Sequence, residues 1–214
     1  MAAPIPTPAL RIIHVDNLTT VLHRGALHAP NHVPRDGRPY RTIHNVDIQN
    51  TRRVCAIPCG PRGVIHDYVP FYFGPRSPML LQLHTNRVAG YSEGQEPLIY
   101  LVTTAQAVQQ SGIGYVFSDG HGIAAFTSWF DILSQLDQVD WTAAYARIWR
   151  DTNEDMDRQR RKQAEFLIHQ NCPWELIHEI VVISDAVKLR AEQVLAGFGA
   201  TLRKPVRVDR AWYY

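Results

Sequence analysis

The segment HDYVPFYFGPRSPM, His66–Met79, packs four aromatics and three prolines into fourteen residues. Each proline removes a ladder donor, which confines such a segment to a sheet edge or a loop and disfavours a central strand. The pattern therefore predicts a shaped surface. Where it is extended, alternation sends Phe71 and Phe73 one way, toward a core, and Tyr72 the other.

Length and composition allow a single domain over residues 1–214, since 45% hydrophobic content supports a real core and no linker divides the chain. The net charge of +2 is too small to demand nucleic acid and permits it where cations gather on one face. Cys55, Cys59 and Cys172 form an odd set without CxxC spacing, which fits a reducing compartment. The C-x3-C of Cys55 and Cys59 lacks a matching second pair, so a zinc site is not supported. No run approaches the roughly 20 apolar residues of a membrane helix, and the expectation is a cytoplasmic monomer without a membrane partner.

Residues 1–9 carry three prolines and are expected to form an extended lead-in outside the fold. LRIIHV, Leu10–Val15, reads as a strand, followed by a helix from Asp16 as cap to Gly25 as stop. APNHVPRDGRPY, Ala29–Tyr40, has the composition of a mobile lid. Ile99–Thr104 and the stretch from Tyr115 read as strands around a short helix that ends at Gly112. Phe126–Trp149 has apolar residues at three and four spacing and predicts two helices on a sheet. AEFLIH and EIVVI read as strands around a turn at Pro173, DAVKLRAEQVLA as a helix, and KPVRVDRAWYY as a last strand. Short strands and helices in irregular order argue for an α+β fold. Neither GxGxxG nor GxxxxGK[ST] is present, so Rossmann and P-loop chemistry are not supported.

Five signatures in order, LRIIHVDNL, Arg52-Arg53, HDYVPFYFGPRSPM, FSDGHG at Phe117–Gly122 and QAEFLIH at Gln163–His169, together resemble DarT, the family of DNA ADP-ribosyltransferase toxins paired with a macrodomain antitoxin. The resemblance runs from about Leu10 to the C-terminus, with Leu10 standing where the family pattern has an aromatic. It implies an ADP-ribosyltransferase-like fold of split antiparallel sheets flanked by helices. It also implies NAD+ as co-substrate without a metal, single-stranded DNA as acceptor, and a macrodomain antitoxin as partner. Thymidine is the base it favours, with guanine open.

Breaking the bond from ribose to nicotinamide develops positive charge on the sugar, which calls for a nearby carboxylate. The resemblance places that role on Glu165, at the start of AEFLIH, and an opposing arginine at Arg53, with Arg52 as the second choice. Arg11, His14, Asn17 and Tyr72 stand at the positions expected to meet NAD+. Arg76, Ser77, Met79 and His121 stand where the acceptor strand is expected, and the run RQRRK offers Arg158 and Arg161 for its phosphates. A bland reading accompanies each: a cap for Asn17, a satisfied core histidine for His14, a solvated face for RQRRK. A rival of another class is a nuclease or a non-catalytic nucleic-acid-binding module, with His44, His66, Asp67 and His121 as its candidate cluster.

Overall fold

Ten strands and seven α-helices follow one another in irregular order along the chain, which a computed structural model describes over residues 1–214. In order they are β1 (Pro8–His14), α1 (Asn17–Arg24), β2 (Ala26–His28), α2 (Val46–Val54), β3 (Tyr68–Tyr72), α3 (Pro78–His84), β4 (Leu98–Thr104), α4 (Ala105–Gln110) and β5 (Tyr115–Ser118). There follow β6 (Trp129–Phe130), α5 (Trp141–Tyr145), α6 (Arg158–Lys162), β7 (Glu165–His169), β8 (Asn171–Pro173), β9 (Glu179–Val182), α7 (Asp185–Ala196) and β10 (Val206–Val208). Eight strands form one sheet in the order β10-β9-β4-β1-β3-β7-β5-β6, antiparallel except for β10 on β9, and β2 pairs with β8 beside it.

The sheet is split at its middle. β1 pairs with β4 along its whole length but meets β3 only at Leu10 opposite Tyr72. That split explains how Pro70 occupies an interior strand, contrary to the edge or loop its segment predicts. Groups of one strand residue point to the same side, and the carbonyl of Pro70 points toward β1, where Arg11 Nη1 donates to it at 3.1 Å. The donor that proline lacks would have pointed into the same gap, so no ladder bond is lost. On the other side β3 pairs normally with β7 from Tyr68–His169 to Tyr72–Glu165.

Both faces of the sheet are covered. Ile13, Phe71, Phe73, Ile99, Leu101, Phe117 and Phe166 belong to one continuous core beneath both halves, which is why Phe71 and Phe73 are buried as alternation requires. On the opposite face the cover is in two pieces: Leu10, Ile12, Tyr100 and Val181 over the β1 half, Ile65, Tyr68, Val116 and Leu167 over the β3 half. A deep cleft opens between the two pieces, along the split.

Five local expectations are corrected. Strand β1 begins at Pro8, and Thr7 and Ala9 are fully buried, so the lead-in is shorter than residues 1–9. Phe126–Trp149 forms β6, a 3-10 stretch over Leu133–Gln138 and the single short helix α5. Its helical spacing arose because Leu136, Val139, Trp141 and Ala144 reach one core from successive short pieces, with Asp140 restarting the chain by accepting from the Ala143 N–H at 2.9 Å. Pro173 lies in β8 instead of a bare turn, and the last strand is only Val206–Val208 before a turn at Arg210–Trp212. The lid segment is fastened: Thr20 donates to the Pro39 carbonyl at 2.7 Å, Arg24 grips Asp36, and Asn17 binds the backbone of Arg41.

Candidate active site

At the apex of the cleft, cross-strand pairing sets Tyr72 of β3 beside Glu165 of β7 on one face. Glu165 is 2% exposed, and its backbone N–H donates to Ser118 Oγ at 3.2 Å, which ties the start of β7 to the end of β5. The carboxylate receives two hydrogen bonds from one guanidinium, Arg52 Nη1 to Oε1 at 2.8 Å and Nη2 to Oε2 at 2.7 Å. Parallel paired bonds of this kind fix both position and plane.

Helix α2 delivers that arginine. Asn45 caps it, its side chain accepting from the N–H groups of Asp47 and Ile48, and Arg52 is the one buried residue the helix possesses. A helix whose single buried group is a cation exists to place that cation. Arg53, the first choice on sequence, is exposed on the cleft rim and faces away from Glu165 by the turn of the helix. The structure thus sets Arg52, and not Arg53, opposite the carboxylate. An Asn cap followed by Asp47 in the first turn was the signal that would have revealed α2.

Electrostatics follow from this pairing. Burial alone would raise the Glu165 carboxyl, but the charge and hydrogen bonds of Arg52, with smaller help from the Gly122 N–H, hold it below the ordinary carboxylate range. It is an anion at neutral pH. Burial lowers His121, on the adjacent loop, below the usual imidazole value, so its ring is neutral there. The Tyr72 hydroxyl is pushed up to about 12 by burial and by the Glu165 charge, and keeps its proton.

The cleft has a volume of about 740 Å³, of the size that holds a small-molecule ligand, and Arg11, Arg52, Arg53, Tyr72, Met79, His121 and Glu165 all line it. Two polar atoms of lining residues, Arg11 Nε and His28 Nε2, are buried without a protein partner, as suits groups reserved for a polar ligand. No three His, Cys, Asp or Glu side chains are gathered for a metal.

A family model described as ssDNA thymidine ADP-ribosyltransferase, DarT, matches residues 10–214. The chain belongs to the DarT family. The DNA ADP-ribosyl transferase of Thermus sp. (strain 2.9) is 42% identical over 211 residues, covering 99% of this chain and 98% of that relative. The structure of Thermus sp. 2.9 DarT in complex with ADP-ribosylated ssDNA matches with a TM-score of 0.93 at 41% identity, covering 100% of this chain and 99% of that one. The same relative in complex with NAD+ matches with a TM-score of 0.88 at 39% identity over the full length of both chains. This DarT-family chain is an NAD-dependent DNA ADP-ribosyltransferase.

The remaining DarT-like positions divide by environment. His14 and Asn17 do not line the cleft. The amide of Asn17 is consumed by Arg41, donating to its carbonyl at 2.9 Å and accepting its N–H at 2.6 Å. His14 is fully buried, with Nδ1 accepting the Asp16 N–H at 3.1 Å and Nε2 directed to Arg41 and Glu93. Both act on the loop that roofs the cleft. Ser77 is buried and caps α3, its Oγ accepting from Leu80 N at 3.2 Å. Arg161 is surrounded by Asp140, Asp155 and Asp157, and the Nε of Arg158 is buried without a partner outside the cleft. The run RQRRK forms helix α6. Of the rival nuclease candidates, His44, His66 and His121 line the cleft with His66 bonded to Gln49, but they form no metal-holding group, and Asp67 lies outside the lining, bonded to Asn31 and the Val64 N–H.

Proposed function

We propose that this chain is a toxin that transfers ADP-ribose from NAD+ onto thymidine in single-stranded DNA, in a sequence-dependent manner, with Glu165 as the catalytic carboxylate. The observation that carries the assignment is the buried Glu165, held ionised by Arg52 at the apex of the cleft. When the bond from ribose to nicotinamide stretches, positive charge grows on the sugar; a fixed, desolvated anion stabilises it without reorganisation. Arg52 is a positioning residue that prevents Glu165 from rotating or taking up a proton. Neutral His121 and protonated Tyr72 each offer hydrogen-bonding capacity beside the carboxylate, suited to orienting an acceptor base and the nicotinamide side.

Arg11 and Tyr72 serve NAD+ directly, and His14 and Asn17 serve it through the loop they hold. Arg76 and Met79 meet the acceptor strand. Arg76 lies just outside the cleft lining, where burial first and the like charge of Arg147 second disfavour its cation, a penalty that a phosphate would offset. The protein works as a monomer in the cytoplasm, where its three free thiols stay reduced, and a macrodomain antitoxin reverses its product.

Adenylate-labelled NAD+ incubated with single-stranded oligonucleotides should put label on thymidine-containing strands and none on the protein. Glu165→Gln should lower transfer by at least about two orders of magnitude, the scale of losing one electrostatic stabiliser. Transfer to no oligonucleotide, or full activity in that variant, would overturn the reading.

A further inference from the structure

Phe126 is 85% exposed, against 40% for Tyr40, the other aromatic among the exposed large hydrophobic residues. Single apolar side chains on a surface need no explanation by themselves. This one stands on a closed, tightly bonded loop that shares its other end with the cleft. The base of the loop is zipped by Asp119 N–H to the Ser128 carbonyl at 3.2 Å and Ser128 N–H to Asp119 Oδ1 at 2.9 Å. Inside it the His121 carbonyl accepts from Ala124 N at 2.9 Å and from Thr127 Oγ1 at 2.7 Å. Arg160 braces it from outside, its carbonyl accepting the His121 N–H at 3.0 Å and its guanidinium holding Asp119. Gly120 and Gly122 press against Arg160 and Trp129 so closely that a Cβ at Gly120 would overlap the guanidinium.

The result is an exposed ring on a pre-ordered tip whose neighbour at one residue's remove, Thr127, is bonded to His121, a cleft-lining residue. From His121 to Ser128 the chain carries no formal charge with His neutral, and the carboxylate at the loop base, Asp119, is paired with Arg160, whose guanidinium it shares with Asp157. Such a tip attracts no phosphate and repels none; what it offers is a flat apolar face. A polynucleotide threading its target base past His121 must leave the next base unstacked, and an aromatic ring is the sequence-tolerant partner for it.

We propose that Phe126 is a positioning residue that stacks on the nucleobase flanking the modified one. This rests on the transfer reaction proposed above. Loss of one stack predicts that Phe126→Ala raises KM for the oligonucleotide by about tenfold. The KM for NAD+ and the melting temperature should not change, and Phe126→Trp should restore the wild-type value. Replacing the flanking nucleotide by an abasic one should penalise the wild type and leave Phe126→Ala indifferent. Equal abasic penalties in both proteins, an unaltered oligonucleotide KM, or a parallel rise in KM for NAD+ would overturn the proposal. So would loss of antitoxin binding in Phe126→Ala with unchanged oligonucleotide kinetics, which would make the ring a protein contact. Should no oligonucleotide be modified, the reaction itself fails; the stacking is then read separately from the Phe126→Trp emission, compared before and after unlabelled single strands are added. Quenching specific to that variant supports it, and unchanged emission refutes it.

Discussion

At the scale of single residues, the pair Arg52–Glu165 shows why a site can cost the protein stability. Two charges removed from water are repaid only while both remain. Arg52→Ala leaves an ionised carboxylate buried and unpaired, and should lower the unfolding free energy by about 3–5 kcal/mol in chemical denaturation. Replacing both by apolar groups, as in Arg52→Met with Glu165→Leu, should recover most of that loss while transfer of ADP-ribose stays absent. A recovered fold without activity separates the electrostatic role of the pair from its packing. The acid limb adds a second readout. Because the folded-state value of Glu165 lies below its ordinary one, its contribution is present above about pH 4.5 and is lost as pH falls through the folded value. The double variant should therefore show a shallower acid decline than the wild type.

Lys162 behaves in the opposite sense. Its ammonium is buried and donates to the Pro75 carbonyl at 2.8 Å and the Ala144 carbonyl at 2.7 Å, with no carboxylate beside it. Burial, and secondarily the charge of Arg76, push it down to about 7 from an ordinary 10.5. The unfolded chain then binds a proton that the folded one has released, so stability rises with pH across the window from about 7 to about 10. Urea midpoints of the wild type should climb over that range, and those of Lys162→Met should be flat. An equal climb in both would assign the slope to other groups.

Elements show most clearly what was legible in the sequence. The strands β1, β4, β7 and β9 and the helices α1 and α7 were readable because their apolar period is local, although Asp16, expected to cap α1, makes no side-chain cap bond and pairs with Arg41 and Arg190 instead. The split that admits Pro70 to an interior strand was not, because it depends on how few residues β1 shares with β3. Arg52 against Arg53 was undecidable without α2, since one residue of helix phase decides which side chain is buried. The basic run of α6 was visible, and its neutralisers were not: Asp119 and Asp140 lie tens of residues upstream and Asp155 and Asp157 just before it. The consequence is testable as salt dependence. Arg161→Ala should leave the slope of log affinity for single-stranded DNA against log salt unchanged, because its charge is already compensated. Arg76→Ala should reduce that slope by about 0.7, the value of one released counterion on a single strand. The reverse outcome would return the phosphate path to α6.

For the molecule as a whole, the decisive relation joins the split sheet and the loop that roofs it. Between β2 and α2 the chain crosses the cleft without regular strands, and its composition of Pro, Asn, Asp and Gly suggests a free lid. Instead it is pinned from below by α1: Asn17 clamps both backbone groups of Arg41, Thr20 holds Pro39, and the Arg41 guanidinium reaches Asp16 and Glu93. A pre-ordered roof lowers the entropy that must be lost when a long, bent dinucleotide is bound. Asn17→Ala removes two of these bonds at one stroke and leaves the Arg41 backbone groups without their partner. The expected outcome is faster amide exchange over residues 36–42, a raised KM for NAD+ and a smaller change in kcat, with the buried charges of Arg52 and Glu165 intact. Were Asn17 to touch NAD+ itself, kinetics would suffer while exchange over the loop stayed slow; measuring both in the same variant distinguishes a hand on the substrate from a hand on the roof above it.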